Sequence, residues 1–191
     1  MCSRIWWPAG LCLALLCAGG ARADERLPAG PRVTVLFTAL TYDNQIETRC
    51  AGGLRIGVLS LSGDEASQSV AKETHAAIAA SSGKKIKGLS IASEVVVAGG
   101  LDEVRQALQD RKINTLYLSP GWERHLPGLL ALAKEKQVLM LTGESAQVRA
   151  GVALGVVQRD NKPKILVHLE SATAEGAKFD VRLLKLAEVV R

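Results

Sequence analysis

The sequence predicts an α/β fold in three layers, with a mainly parallel sheet flanked by helices, a C-terminal antiparallel β-hairpin and a final helix. Apolar runs of strand length, at residues 54–61, 114–118 and 138–142, alternate with segments of helical periodicity. The first run is apolar on both faces apart from Arg55 at its start, which is typical of a buried parallel strand. Two later runs, at residues 152–157 and 165–167, flank a polar turn whose Asp160 and Asn161 tolerate positive φ, and these runs predict the hairpin.

The first residues have the pattern of a secretory signal. Arg4 supplies a positive charge, residues 5–17 are apolar, and residues 21–23 form a small-x-small cleavage site. We predict removal of residues 1–23, a flexible lead over residues 24–31 and a single domain over residues 32–191. The alternative is a lipoprotein signal in which Cys17 is lipidated. No later run is long and apolar enough to span a bilayer.

Charge and cysteine content narrow the functional classes. Without Arg4 and Arg22 the formal net charge falls from +5 to +3, and the scattered basic residues and few aromatic residues argue against nucleic-acid binding. Three of the four cysteines lie in the predicted signal, which leaves Cys50. An exported chain with one cysteine forms no internal disulfide. Cys50 is therefore a buried thiol, a free reactive thiol or part of an intermolecular bridge.

The segment before the first strand is ambiguous. Residues 32–42 carry apolar side chains at i, i+3, i+4 and i+7, which favours a helix, although their β-branched and aromatic content also suits a strand. Residues 43–53 are predicted to be a loop or a frayed helix end. The apolar positions in question are Val33, Leu36, Phe37 and Leu40.

A helix is expected after the strand at residues 54–61. The spacing of Ser62 and Glu65 matches a capping box in which Ser62 caps the helix, and the helix is predicted over about residues 64–80. The residues expected to face inward are Ala66, Val70, Ala77 and Ile78.

Residues 84–89 and 94–97 are predicted to be strand pieces around an irregular segment. The lysines in this region, Lys84, Lys85 and Lys87, are interpreted as a solvated edge that discourages strand pairing. Gly99 and Gly100 form a turn before a short helix marked by Leu101, Val104 and Leu108.

Two further helices are expected in the C-terminal half. Leu126, Leu129, Leu130 and Ala133 form an apolar helical stripe, and Pro127 fits only the first turn of that helix. A short helical turn over residues 171–175 ends at Gly176. The last helix is predicted to pack on the sheet through Phe179, Leu183 and Leu186.

The turns that follow the parallel strands form the candidate binding site. Right-handed crossovers place these turns on one rim of the sheet, where ligands of open α/β sheets bind. Small residues there let backbone amides approach an anion, although Ser, Gly and Pro are also simply good turn formers. Trp122 is interpreted either as an exposed anchor for a partner or as a cover over the core beside Leu126. The candidate ligand- or partner-binding residues are Ser62, Asp64, Ser119, Gly121, Trp122, Thr142, Gly143 and Glu144.

No pattern in the sequence indicates catalysis. His75, His125 and His168 are too far apart in sequence to match a metal-binding motif, and neither a nucleophile elbow nor a phosphate-binding loop occurs. Gly151 and Gly155 match G-x-x-x-G, but they lie in a short strand-like run and not in a spanning helix. We therefore expect no catalytic residues, no metal and no cofactor.

Several segments carry a family resemblance. Residues 116–121 read L-Y-L-S-P-G and residues 138–143 read V-L-M-L-T-G. The hairpin over residues 151–167 is followed by H-L-E-S-A at 168–172 and L-L-K-L-A at 183–187. Together with L-T-Y-D at residues 40–43, these motifs resemble the YfiR-like family of periplasmic proteins.

The resemblance implies a periplasmic regulator or sensor, often dimeric, that binds an inner-membrane signalling protein such as a diguanylate cyclase or a sensor kinase. Two departures bear on this. The family's named member relies on disulfides that Cys50 alone cannot form, and Asp43 and Asn44 stand where a Trp-Pro pair is common. The alternative functions are a periplasmic small-ligand-binding protein that uses the rim and, third, an enzyme.

Overall fold

The computed structural model describes residues 26–81 and 83–191, so the predicted signal over residues 1–23 lies outside the described residues. Eight helices and eight strands are assigned within these ranges. The helices are α1 (Ala29–Leu40), α2 (Ile46–Arg49), α3 (Glu65–Ala79), α4 (Leu101–Asp110), α5 (Leu126–Lys136), α6 (Ser145–Arg149), α7 (Leu169–Ala174) and α8 (Val181–Leu186). The strands are β1 (Leu54–Leu61), β2 (Lys85–Ile86), β3 (Leu89–Ala98), β4 (Thr115–Leu118), β5 (Leu139–Thr142), β6 (Leu154–Arg159), β7 (Lys162–His168) and β8 (Glu188–Val190).

All eight strands belong to one sheet, in the order β2-β3-β1-β4-β5-β6-β7-β8. β3, β1, β4, β5 and β6 are mutually parallel, and β7 returns antiparallel to β6 across the turn at Asp160 and Asn161. Both turn residues have positive φ. The mainly parallel sheet and its C-terminal hairpin confirm the predicted fold class.

Helices cover both faces of the sheet. In β1, Leu54, Ile56 and Val58 point into the core cluster beneath α1 and α3, whereas Leu59 points into the cluster beneath α4 and α5. This alternation is the period of two that a strand imposes on its side chains. We refer to the two sides as the α1/α3 face and the α4/α5 face.

The order of the strands reverses between β1 and β4. The chain leaves β1 through α3 to reach β3 on one side, and then returns through α4 to β4 on the other side of β1. This reversal makes the carboxyl ends of β1 and β4 the topological switch point of the sheet. Open α/β sheets bind ligands at such a switch point.

The N-terminal segment is a helix, as favoured, but it begins earlier than predicted. α1 starts at Ala29, so residues 29–31 do not belong to a flexible lead. Proline usually indicates a break in a helix, but it is compatible with the first turn, where Pro31 lies, and Pro28 is the N-cap. Residues 26–28 are also held in place, as described below.

The start of α3 corrects the predicted capping box. Asp64 is the N-cap, and its Oδ1 accepts a hydrogen bond from the Ser67 amide at 2.9 Å. Ser62 lies in the preceding turn, which places Glu65 in the first helical position and not in the third. Ala66 is consequently exposed, and the buried residues of the helix are Ser67, Val70, Ala71, Thr74 and Ile78.

Other assignments also differ from the sequence prediction. β3 runs unbroken over Leu89–Ala98 and pairs with β2 through a turn in which Lys87 and Gly88 both have positive φ. α2, α6 and the C-terminal strand β8 were not predicted as regular elements; α6 and β8 are too short to give a periodic pattern. Leu186 ends α8 with 67% of its surface exposed, so it does not pack on the sheet.

Within residues 26–81 and 83–191, none of the helices has the length and apolar character needed to span a bilayer.

Candidate ligand- and partner-binding rim

The structure brings the turns after β1 and β4 into contact at the switch point. A Cβ placed on Gly121 would lie 2.7 Å from Asp64 Oδ2, so the absence of a side chain at Gly121 is what lets the two turns approach. Gly121 also has φ +95, a conformation that favours glycine. On the other side of Ser62, a Cβ on Gly99 would lie 3.9 Å from the Ser62 Cβ. The predicted turns therefore form one continuous rim.

Gln147 connects the turns after β4 and β5. Its Nε2 donates to the Ser119 carbonyl at 3.2 Å, and its Oε1 accepts from the Thr142 hydroxyl. Gln147 is 2% exposed and lies on α6, which packs against the end of the sheet. The unpredicted helix α6 thus supplies the side chain that joins two predicted site residues.

The eight candidate residues differ in how accessible they are to a binding partner. Ser62 is exposed, and Asp64, Gly121 and Glu144 are half-buried, so these four are open to a macromolecular partner. Ser119, Trp122, Thr142 and Gly143 are buried. The exposed-anchor interpretation of Trp122 is wrong, because its side chain is 0% exposed in the core of the α4/α5 face. Trp122 packs edge-on against His125, with ring centroids 5.5 Å apart.

A buried arginine lies next to the rim on the α1/α3 face. Arg32 of α1 is 1% exposed, donates from Nη1 to the Leu27 carbonyl at 2.8 Å and from Nη2 to the Thr74 hydroxyl at 2.9 Å. Its guanidinium lies 5.6 Å from the centre of the Tyr117 ring. Among the described residues no carboxylate pairs with Arg32, and its Nε has no hydrogen-bond partner. Buried arginines are almost always paired, so this charge is unusual.

Arg32 and Tyr117 converge on the turn after β5. A Cβ on Gly143 would lie 2.8 Å from Tyr117 Oη and 3.2 Å from Arg32 Nη1. Burial raises the pKa of the Tyr117 hydroxyl, which therefore remains protonated and able to donate, although the charge of Arg32 acts in the opposite direction. We call Arg32, Thr74, Tyr117 and Gly143 the Arg32 cluster.

Two serines extend this polar region along the α1/α3 face. Ser60 and Ser119 follow the register pair formed by β1 and β4, and they share the face of Val58 and Tyr117 because side chains alternate along each strand. Both serines are 0% exposed, and the Oγ of each lacks a partner. Unpaired buried polar atoms are rare in folded proteins and call for a bound group or water.

A short segment covers the Arg32 cluster. Arg26 pairs with Glu144, with 2.8 Å between Nε and Oε1, and Leu27 is 6% exposed in the core beneath α1. The Leu27 carbonyl is also the acceptor for Arg32 Nη1. We call residues 26–28 the strap, since they run from the core to the turn that carries Glu144.

Sequence reasoning missed Arg32, Thr74 and Tyr117, although one signal was present. Arg32 lies four and eight residues before Leu36 and Leu40, on the apolar stripe that predicted the helix. A charged residue on a buried stripe indicates a special role. Thr74 and Tyr117 gave no such signal, because a threonine in a helix and a tyrosine in a strand are unremarkable alone.

A second set of buried charges lies at the other end of the parallel strands, near their amino ends. Asp43 is 0% exposed and pairs with Arg49, with 3.1 Å between Oδ2 and Nη2. Desolvation raises the pKa of the nearby Glu175 carboxyl to about 8, and the carboxyl accepts from the Met140 amide at 2.8 Å. Cys50 is fully buried, and burial raises the pKa of its thiol. Here, unlike at Arg32, the arginine has its carboxylate.

The structure offers little for metal or nucleophile chemistry in the ranges it describes. No group of three His, Cys, Asp or Glu side chains within residues 26–81 and 83–191 could hold a metal ion. His168 and Ser171 lie 2.9 Å apart between Nδ1 and Oγ, but His168 is the N-cap of α7 and accepts from the Ser171 amide. That geometry is a helix cap.

Comparison with solved structures identifies relatives of the fold. The chain resembles the ABC domain in complex with L-Trp from Streptococcus pneumoniae, with a TM-score of 0.57 and 15% identity over 86% of this chain and 62% of that one. A conserved domain protein from Vibrio cholerae gives a TM-score of 0.59 at 13% identity, over 86% and 60% of the two chains. An open, ligand-free substrate binding protein with adhesive properties from Clostridium difficile gives 0.53 at 16%, over 77% and 57%.

The chain therefore covers less than two thirds of each of these proteins. Comparison with curated proteins finds no significant match. The sequence model of the YfiR/HmsC-like family, by contrast, matches residues 53–188, which include the rim and all strands up to the start of β8. With most of its length matched, this chain belongs to the YfiR/HmsC-like family.

Proposed function

We propose that this chain is a non-catalytic periplasmic regulator that binds an inner-membrane signalling protein, such as a diguanylate cyclase or a sensor kinase. The family to which the chain belongs is one of periplasmic regulators of signalling. The observation that carries the proposal is the extent of the family match, which includes every turn of the rim.

The outer part of the rim is the proposed contact surface for this partner. Ser62 and the half-buried Asp64, Gly121 and Glu144 stand on turns that rigid strands and the α3 cap hold in place. Binding residues are commonly carried on loops that a rigid scaffold positions. No bond needs to be made or broken for such a surface to act.

Affinity capture from solubilised membranes of the source organism tests the proposal. Wild-type protein should recover an inner-membrane signalling protein. The rim variant Ser62→Arg should lose it, because a long charged side chain would obstruct the contact surface. Thr48→Arg is the matched control, since Thr48 is also exposed but lies at the amino ends of the parallel strands.

Each outcome of the capture has a distinct meaning. Capture by wild type and Thr48→Arg but not by Ser62→Arg supports both the function and the surface. Equal capture by all three proteins would support the regulatory function but show that the rim is not the contact surface. Recovery of no signalling protein by wild type would contradict the proposed function itself.

A second candidate function is the binding of a small ligand inside the rim. The candidate residues surround the switch point between β1 and β4, which is where small ligands bind in open α/β sheets. The resemblance to a domain in complex with L-Trp and to a substrate binding protein also supports it. A regulator that senses a ligand would combine both functions.

A further inference from the structure

Within the part of the chain that the structure describes, no carboxylate compensates the buried charge of Arg32. Taking a guanidinium out of water is costly, and a paired carboxylate normally offsets most of that cost. Among the described residues, the acceptors of Arg32 are a carbonyl and a hydroxyl, both neutral. The core beneath α1 also contains apolar side chains such as Leu36 and Leu40. A missing negative charge is the simplest physical account of this arrangement.

We propose that the Arg32 cluster is a binding site for the carboxylate group of a small molecule, which enters when the strap moves away. The Leu27 carbonyl oxygen, 2.8 Å from Arg32 Nη1, occupies the place that one carboxylate oxygen takes in the bound state. The strap is thus a competitor that belongs to the chain itself.

The donors around the cluster match a carboxylate. Once the Leu27 carbonyl has left Nη1, the Nη1–H and Nη2–H groups of Arg32 present the planar fork that binds two carboxylate oxygens, and the unpaired Nε–H is a further donor of the same guanidinium. The protonated Tyr117 hydroxyl lies beside the same guanidinium, and Ser60 and Ser119 hold two further unpaired hydroxyls on the same face. One buried positive charge balances one carboxylate, whereas a phosphate dianion would leave an unpaired negative charge in the core.

Opening of the strap breaks the Arg26–Glu144 ion pair and withdraws Leu27 from the core beneath α1. The Arg26–Glu144 ion pair is partly exposed, at 39% and 30% of the two side chains, and exposed pairs contribute little to stability. Glu144 is freed when the strap leaves, at the outer part of the rim that we assign to the protein partner. Ligand entry would thereby alter the surface that the partner contacts.

This inference takes its regulatory meaning from the proposed function, but its test uses the isolated protein. The Arg32 Nε–H resonance is followed in 15N-labelled protein while sodium acetate is added at constant ionic strength. Sodium chloride and sodium phosphate serve as parallel titrations. Acetate should shift the resonance saturably over a range of about millimolar, as expected for so small a ligand, and the other two anions should not.

Variants connect the response to the strap and to the cluster. Arg26→Ala should strengthen acetate binding several-fold, because the open form becomes more populated and the apparent Kd falls in proportion. Ser119→Ala removes an unpaired hydroxyl, so it should weaken binding while the melting temperature is kept. Arg105→Ala is the control, since Arg105 forms a surface ion pair with Glu135 on the α4/α5 face, and it should change nothing.

The proposal is overturned if the Arg32 resonance responds to acetate no more than to chloride in both wild type and Arg26→Ala. A response to phosphate that equals or exceeds the response to acetate would overturn the carboxylate assignment. Acetate binding without capture of a membrane protein would support the carboxylate site and contradict the proposed regulatory function. Capture of a membrane protein without acetate binding would support the regulatory function and contradict the carboxylate site.

Discussion

At the scale of single residues, the two buried arginines differ in one respect that decides their roles. Arg49 has a carboxylate partner in Asp43, and the side chains of that pair are 5% and 0% exposed. Arg32 is as deeply buried but bonds to neutral oxygens and has an unpaired Nε. The first arrangement is that of a structural ion pair. The second is that of a site whose counter-charge comes from outside.

The stability of matched variants should separate these roles. Arg49→Met should lower the free energy of unfolding by about 3–5 kcal/mol, because it leaves Asp43 buried and unpaired. Arg32→Met should change it by no more than about 1–2 kcal/mol, since the lost hydrogen bonds to two neutral groups are offset by removal of an unpaired charge. Urea unfolding measures both, and a loss at Arg32 as large as at Arg49 would contradict a binding role.

Glu175 should make stability depend on pH. Desolvation raises the pKa of its carboxyl to about 8 in the folded chain, from an ordinary 4.5. Between these two pH values the folded state holds a proton that the unfolded state has released. The stability that results is fully present below about pH 4.5 and is lost as the pH rises through about 8, at about 1.4 kcal/mol per pH unit between the two values. Glu175→Gln keeps an acceptor for the Met140 amide and should remove this loss.

Urea midpoints of wild type and Glu175→Gln at pH values below, within and above this window provide the measurement. The two proteins should differ little at low pH, and the variant should be the more stable at high pH. A constant difference between them across the window would show that the carboxyl does not titrate in this way.

Cys50 should behave as a buried thiol and not as a reactive one. It is 0% exposed, and burial raises its pKa, which lowers the thiolate fraction that reacts. Alkylation by iodoacetamide should be slow in buffer and fast in urea. Rapid alkylation of the folded protein would restore the reactive-thiol interpretation and with it a redox role.

At the scale of elements, helix boundaries and turns depend on details finer than a periodic pattern. The S-x-x-E spacing predicted the helix α3 correctly but named the wrong cap, since Asp64 and not Ser62 meets the free amide of Ser67. The β2–β3 turn uses Lys87 at positive φ, where asparagine or aspartate would have given a recognisable signal. Several side chains compete for each such position, and backbone geometry selects one.

Replacement of the two capping candidates tests the corrected boundary. Asp64→Ala should lower the free energy of unfolding by about 1 kcal/mol, the usual loss for an N-cap. Ser62→Ala should leave it within about 0.5 kcal/mol, as expected for an exposed turn residue. Thermal or urea unfolding of both variants decides between them, and an equal loss would revive the capping box.

At the scale of the whole molecule, the sheet has a region of buried charge at each end of its parallel strands. The carboxyl ends of the strands carry the rim and the Arg32 cluster, and the amino ends carry Asp43, Arg49 and Glu175. α1 connects them, since it begins beside the strap and ends three residues before Asp43. A homodimer, which the family resemblance implies, and a single domain over residues 32–191 stay predictions.

Export of the whole chain has a direct test. Mass spectrometry of the protein isolated from the periplasm should give an N-terminus at Asp24, two residues before the first residue of the strap. Retention of residues 1–23 would contradict cleavage, and a lipidated Cys17 would support the lipoprotein alternative. The result also establishes how much chain precedes the strap in the mature protein.

The sequence by itself determined the fold class, the strand–helix alternation, the C-terminal hairpin and the rim, because each rests on local periodicity or on turn chemistry. It also predicted which turns would meet, since parallel strands and right-handed crossovers leave few arrangements. Only the tertiary structure decided which rim residues are buried, that Trp122 belongs to the core, and that Arg32 has no carboxylate partner among residues 26–81 and 83–191. Those facts depend on contacts between residues far apart in the chain, such as Arg32 with Thr74 and Tyr117. No local pattern records such contacts.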